Sequence, residues 1–138
     1  MHRFFSLGRI GVVFLTILLF CNCTSKNNSS ENIKTLSDSN YNETVQADTP
    51  TLLYFSASWC GPCRSFGPIV NEIANEYKGR IQVCKIDVDE SEDLCRMHRI
   101  NSVPTIVFMV NGTVVDRTIG TVHKRVLEEK IDAILDKK

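Results

Sequence analysis

Trp59-Cys60-Gly61-Pro62-Cys63 is the stretch whose reading decides the fold. It follows the apolar run 52–55 and precedes a helix-like stretch, 64–77, so two cysteines fall where a strand hands over to a helix. A helix N-terminus carries unpaired backbone N–H groups and the positive end of the dipole, and both favour a thiolate over a thiol. Cys60 is therefore the candidate nucleophile. Cys63, one turn further in, shares its face and can either form a disulfide with Cys60 or attack a mixed disulfide held there. An inert disulfide or half of a zinc site would use the same pair. A zinc site needs a second ligand pair, and Cys84, Cys95, His98 and His123 supply none at suitable spacing. No metal and no organic cofactor is expected.

With these residues go Pro68, Lys85, Val103-Pro104-Thr105, Asn111-Gly112 and Gly120, in that order and at domain-scale spacing. The set resembles the thioredoxin family over roughly residues 33–138. The resemblance implies an α/β thioredoxin fold, a central mixed sheet flanked by helices on both faces. It also implies disulfide exchange with protein disulfide substrates, and Gly61-Pro62 resembles the dipeptide of reducing members. Gly61 and Pro62 bring no side-chain charge near the sulfurs. Val103-Pro104 matches the family's cis-proline loop, whose proline has no N–H to keep it from the sulfurs and whose Val103 backbone would receive an extended substrate strand. Trp59 would offer a flat apolar surface beside an exposed sulfur. Gly120 matches a position where a missing side chain leaves room in the groove, and a simple strand-end turn would need glycine equally.

One departure stands out. Six residues before Cys60 the family usually carries a buried aspartate, the proton acceptor for the second cysteine, and here that residue is Tyr54. A phenol with a reference pKa of about 10 is a poor base at neutral pH. Proton removal from Cys63 would then rely on water or the leaving group, with a slower resolving step and an altered pH dependence. Lys85 matches the lysine that neighbours the missing aspartate.

The chain has 138 residues, 16 Lys and Arg against 16 Asp and Glu, and a formal charge of zero, which fits one domain and argues against a nucleic-acid partner. Residues 1–23 read as an export signal: basic Arg3 and Arg9 precede an apolar core, 10–20, about half the ~20 residues of a membrane-spanning helix. Without those arginines 14 basic residues face 16 acidic ones. Cys21 and Cys23 close the apolar run as in a bacterial lipoprotein, although Phe20 and Asn22 are not the small residues usual before the modified cysteine. Ordinary cleavage after an A-x-A-like site is the alternative. Residues 24–32 are a polar linker of the kind that tethers a domain off a membrane.

From residue 33 the pattern reads βαβαβαββα, with parallel pairing first and an antiparallel hairpin last. A short strand at 33–36 leads to a helix through Gln46, capped by Ser37, Asp38 and Ser39. Residues 51–56 form a strand buried on both faces. A helix runs from Cys60 or Pro62 to about Tyr77, with Pro68 expected to kink it and Ile69, Ile73 and Tyr77, with Val70 and Ala74 beside them, as its core stripe. A strand at 81–87 and a weak helix at 92–99 follow. Strands 105–110 and 113–118, joined by Asn111-Gly112, and a helix at 123–135 complete the domain. Cys84 reads as a small buried hydrophobe, Cys95 as an exposed cysteine, and His98 and His123 as surface residues.

The sequence thus points to an exported, monomeric thioredoxin-like reductase of protein disulfides, in the periplasm or tethered there by a lipid on Cys21 or Cys23. A reductant in an oxidising compartment needs its own electron supply, so a membrane electron-donor protein is the expected partner. The alternatives are an oxidant or isomerase using the same cysteines, or a redox-independent binding module using the Trp59, Val103 and Gly120 groove. Exported relatives of the cytochrome-maturation type usually carry an insertion before the cis-proline loop, and the interval from Cys63 to Pro104 is too short for one.

Overall fold

Strand β2 (Thr51–Ser56) is buried at every position, as a β-prone run without polar alternation requires of a central strand. The structure, a computed structural model, describes residues 32–45 and 48–137. The export-signal reading, Cys21, Cys23, nearly all of the linker and Gln46 lie outside the described residues. The elements run β1 (Ile33–Leu36), α1 (Tyr41–Val45), β2, α2 (Gly61–Glu76), β3 (Gln82–Asp87), α3 (Glu92–Met97), β4 (Thr105–Val110), β5 (Thr113–Ile119) and α4 (Lys124–Leu135).

The sheet order is β1-β3-β2-β4-β5. β3 pairs parallel with β1 and β2, whereas β4 pairs antiparallel with β2 and β5. This is the thioredoxin fold, a mixed five-stranded sheet between helices. At the hairpin tip Asn111 (φ 50°) and Gly112 (φ 74°) both take positive φ, which a two-residue turn of this twist demands.

Alternation along β2 divides the core. Leu52 and Tyr54 face Phe66, Val70, Ile73 and Ala74 of α2 and Leu127 and Ile131 of α4. Leu53 and Phe55 face Tyr41, Val45 and Leu94 on the other side, with Cys84 and Ile86 of β3. Fully burying one such aliphatic or aromatic side chain contributes about 1.5–3 kcal/mol, so both faces of β2 hold it in place. Lys124 of α4 makes ion pairs with Glu72 and Glu76 of α2 and with Glu128.

Several details differ from the sequence expectation. Along α2, which runs through Pro68 as expected, Ile73, Val70 and Ala74 are buried, as is Tyr77 just past its end, whereas Phe66 joins this stripe and Ile69 is only half-buried. His98 is not a surface residue. It is 4% exposed, because Tyr41 and Phe55 close over its ring and the Tyr41 hydroxyl lies 2.7 Å from Nε2. Cys95 is half-buried, its sulfur turned toward the Val88 carbonyl. Asp38 does not cap α1; its carboxylate accepts the Leu94 N–H at 3.0 Å, in the first turn of α3. Near α1, Asn40 accepts the Ser37 N–H instead.

Candidate active site

Cys60 is the N-cap residue of α2, in extended backbone conformation (φ −83°, ψ 104°), with Pro62 inside the first turn where a missing N–H costs nothing. Cys60 and Cys63 are joined as a disulfide, with Cα atoms 5.3 Å apart. The Cys63 N–H points at the Cys60 sulfur at 3.2 Å, one of the otherwise orphaned donors of the helix start. When the bond opens, that N–H and the 16-residue helix behind it favour negative charge on Cys60.

In this oxidised form the Cys60 sulfur is not the exposed atom that the sequence suggested. Cys60 and Cys63 are 4% and 5% exposed, packed with Ala57, Val88 and Val103. Trp59 stands beside them 67% exposed, and its indole N–H donates to Asp89 at 2.8 Å. Asp89, Ala57 and Val88 were missed by sequence reasoning. The available signal was topological: β2 and β3 are parallel neighbours, so the loops leaving their C-terminal ends meet.

The Val103–Pro104 peptide is cis, and Val103 packs against the cysteine cluster. Gly120 follows β5 with φ 82° and donates its N–H to the Pro104 carbonyl at 2.8 Å. Positive φ is reason enough for glycine there, while a Cβ at that position would meet open space. The structure therefore gathers Trp59, Cys60, Gly61, Pro62 and Cys63 with Val103; Pro104 and Gly120 adjoin through their hydrogen bond.

Tyr54, where a base was to be sought, is buried. Its hydroxyl donates to the Cys63 carbonyl at 3.0 Å and its ring meets Phe66 edge-on. Burial pushes its pKa up to about 12, with the nearby Ser56 hydroxyl, which lies outside hydrogen-bond geometry, opposing part of the shift, so the phenol stays protonated at neutral pH. Lys85 is its register partner on β3 and is exposed. Among the described residues neither spare thiol is activated: burial raises the pKa of Cys84, and burial followed by the Asp38 and Glu92 charges raises that of Cys95. Among the described residues no cluster of three His, Cys, Asp or Glu side chains could hold a metal ion, and no helix is long and apolar enough to cross a membrane.

Against known proteins, residues 32–133 match the family model described as Thioredoxin. The chain belongs to the thioredoxin family. It is 42% identical over 101 residues to the chloroplastic M-type thioredoxin of Pisum sativum, which covers 72% of the chain and 59% of that longer protein. It is 39% identical over 90 residues to thioredoxin 1 of a Nostoc species (65% of the chain, 84% of the relative). With the Pseudomonas aeruginosa thioredoxin the figures are 33% over 105 residues, 75% and 97%. The Cys60–Cys63 couple is accordingly that of a thioredoxin-type disulfide oxidoreductase.

Proposed function

We propose that this thioredoxin reduces protein disulfides outside the cytoplasm, fed by a membrane electron-donor protein. The observation that carries the chemistry is the Cys63 N–H directed at the Cys60 sulfur at the start of α2. In the reduced protein the Cys60 thiolate attacks one sulfur of a substrate disulfide, and the other substrate sulfur leaves as a thiol or thiolate. Cys63 then attacks Cys60, releases the substrate as a second thiol, and leaves the Cys60–Cys63 bond. Tyr54 takes no proton, so the Cys63 proton passes to water or to the departing thiolate. The exposed Trp59, the Val103 backbone and the open space at Gly120 form the docking groove for an extended substrate strand.

Support for a reducing direction comes from Gly61 and Pro62, which put no charge between the sulfurs. Support for export comes from the charged, then apolar pattern of residues 1–23, and a lipid on Cys21 or Cys23 would hold the domain at the membrane. A Cys63→Ser variant tests both parts. It should accumulate mixed disulfides with exported proteins, and Cys60→Ser should accumulate none. Mixed disulfides solely with cytoplasmic proteins would contradict the location, and none at all would contradict the chemistry.

A further inference from the structure

On the side of β2 facing β3 and β1, a cleft of about 270 Å³ runs from Cys63 down between α2 and the sheet. Its floor is one row across the sheet, Thr35, Lys85 and Tyr54 in mutual register, with Ser56 one step further along β2. Its wall is Cys63, Arg64, Gly67 and Asn71 of α2. No carboxylate lines it. Two cations do, Arg64 and Lys85, and neither has an acidic partner among the described residues. Asp87, the register partner of Ser56, directs its carboxylate to the Asp89 N–H instead. At the bottom Ser56, 2% exposed, has an Oγ that completes no hydrogen bond, while the Tyr54 hydroxyl beside it is engaged with the Cys63 carbonyl. A buried hydroxyl without a partner is destabilising, and a cleft with two unpaired cations and no acid has a positive field.

We infer that this cleft is a binding site for a small oxyanion of the carboxylate class, held between Arg64 and Lys85 with Ser56, Ser58 and Asn71 as neutral donors. Guanidinium and ammonium groups bind a carboxylate through charge-assisted hydrogen bonds, and the volume admits an ion of acetate size with its hydration. The occupant is a free ion and not a side chain of a docked substrate. On the function proposed above, the groove for a substrate strand lies by β4 and β5, on the opposite flank of β2, so a chain seated at Val103 and Gly120 would not run into the cleft. The ion sits behind Cys63, on the flank of the disulfide that a substrate leaves open.

The test is a titration of the oxidised, 15N-labelled protein with sodium acetate and, separately, with sodium chloride at equal ionic strength, read by amide shifts. Acetate is expected to move the Ser56, Ser58, Arg64 and Lys85 amides saturably, and chloride is not. An Arg64→Gln, Lys85→Met protein should bind acetate roughly tenfold more weakly. Both residues are exposed, so its β4–β5 hairpin amides should keep their positions and report an intact fold. Ser56→Ala, a smaller change, should weaken the same shifts. Equal effects of acetate and chloride, an ionic-strength response only, would overturn the site, and so would undiminished acetate binding in the double variant. A short acidic peptide that moved the cleft amides together with Val103 and Gly120 would make the occupant a docked side chain and overturn the free-ion assignment.

Discussion

Tyr54 shows how much one residue changes in an otherwise familiar site. Its phenol is a fixed donor to the Cys63 carbonyl, and a pKa of about 12 keeps it from acting as a base. Tyr54→Phe should therefore cost about 1 kcal/mol, the net worth of one buried hydrogen bond, seen as a lower denaturation midpoint. The pH profile of the resolving step between about pH 6 and 9 should be unchanged, because the phenol does not titrate there. A profile that flattened in the variant would make Tyr54 the base after all.

His98 gives a second test at this scale. Burial, then the Arg117 charge, lowers its pKa below the ordinary 6.5. The unfolded chain therefore takes up a proton near pH 6.5 that the folded chain still refuses, so the stability tied to neutral His98 is full above that pH and falls as pH drops through it. Tyr41 and Arg117 are the titratable groups facing it. Chemical denaturation between about pH 7 and 5 should show this loss, and a His98→Gln protein should show less of it. An equal slope in the two proteins would rule His98 out as its source. The cysteine pair was legible in the sequence because its chemistry is local, three residues within one turn. His98 was not, because Tyr41 lies 57 residues away and no local pattern announces it.

The same distinction holds for elements. Strand β2, the Asn111-Gly112 hairpin and helix α4 follow from periodicity and turn chemistry, and all three formed near their expected bounds. The cap of α3 does not follow from them. Ser91, its N-cap by position, makes no capping bond with its side chain, and Asp38 supplies the acceptor from 56 residues upstream. Asp38→Ala should destabilise the protein by about 1 kcal/mol, while Asp38→Asn, which can cap as well, should retain most of that. Amide exchange at Leu94 reads the effect directly: faster exchange in the alanine variant alone is expected, and no change in either would remove Asp38 from the cap. Of the stripe expected on α2, Ile73, Tyr77, Val70 and Ala74 are buried and Ile69 only half-buried, because periodicity gives the angular spacing of a face and leaves its centre to the sheet it meets.

At the scale of the molecule, the sheet order sets what surrounds the disulfide. β2 lies in the middle, so the Cys60–Cys63 junction at its end has the cis-proline loop and Gly120 on one flank and the Arg64–Lys85 cleft on the other. The first flank was legible through family motifs. Of the second, the resemblance placed Lys85 beside Tyr54, while Thr35 and Ser56 were not legible, since they join those two only across three strands. The direction of electron flow is a property of this whole arrangement, because every group near the sulfurs weighs the reduced against the oxidised form. The most direct test is the reduction potential of the Cys60–Cys63 couple in redox buffers of glutathione or dithiothreitol. A reductant requires a value near the thioredoxin end of the scale, about −270 mV; a value of roughly −180 to −120 mV would contradict it and make the protein an oxidant or isomerase.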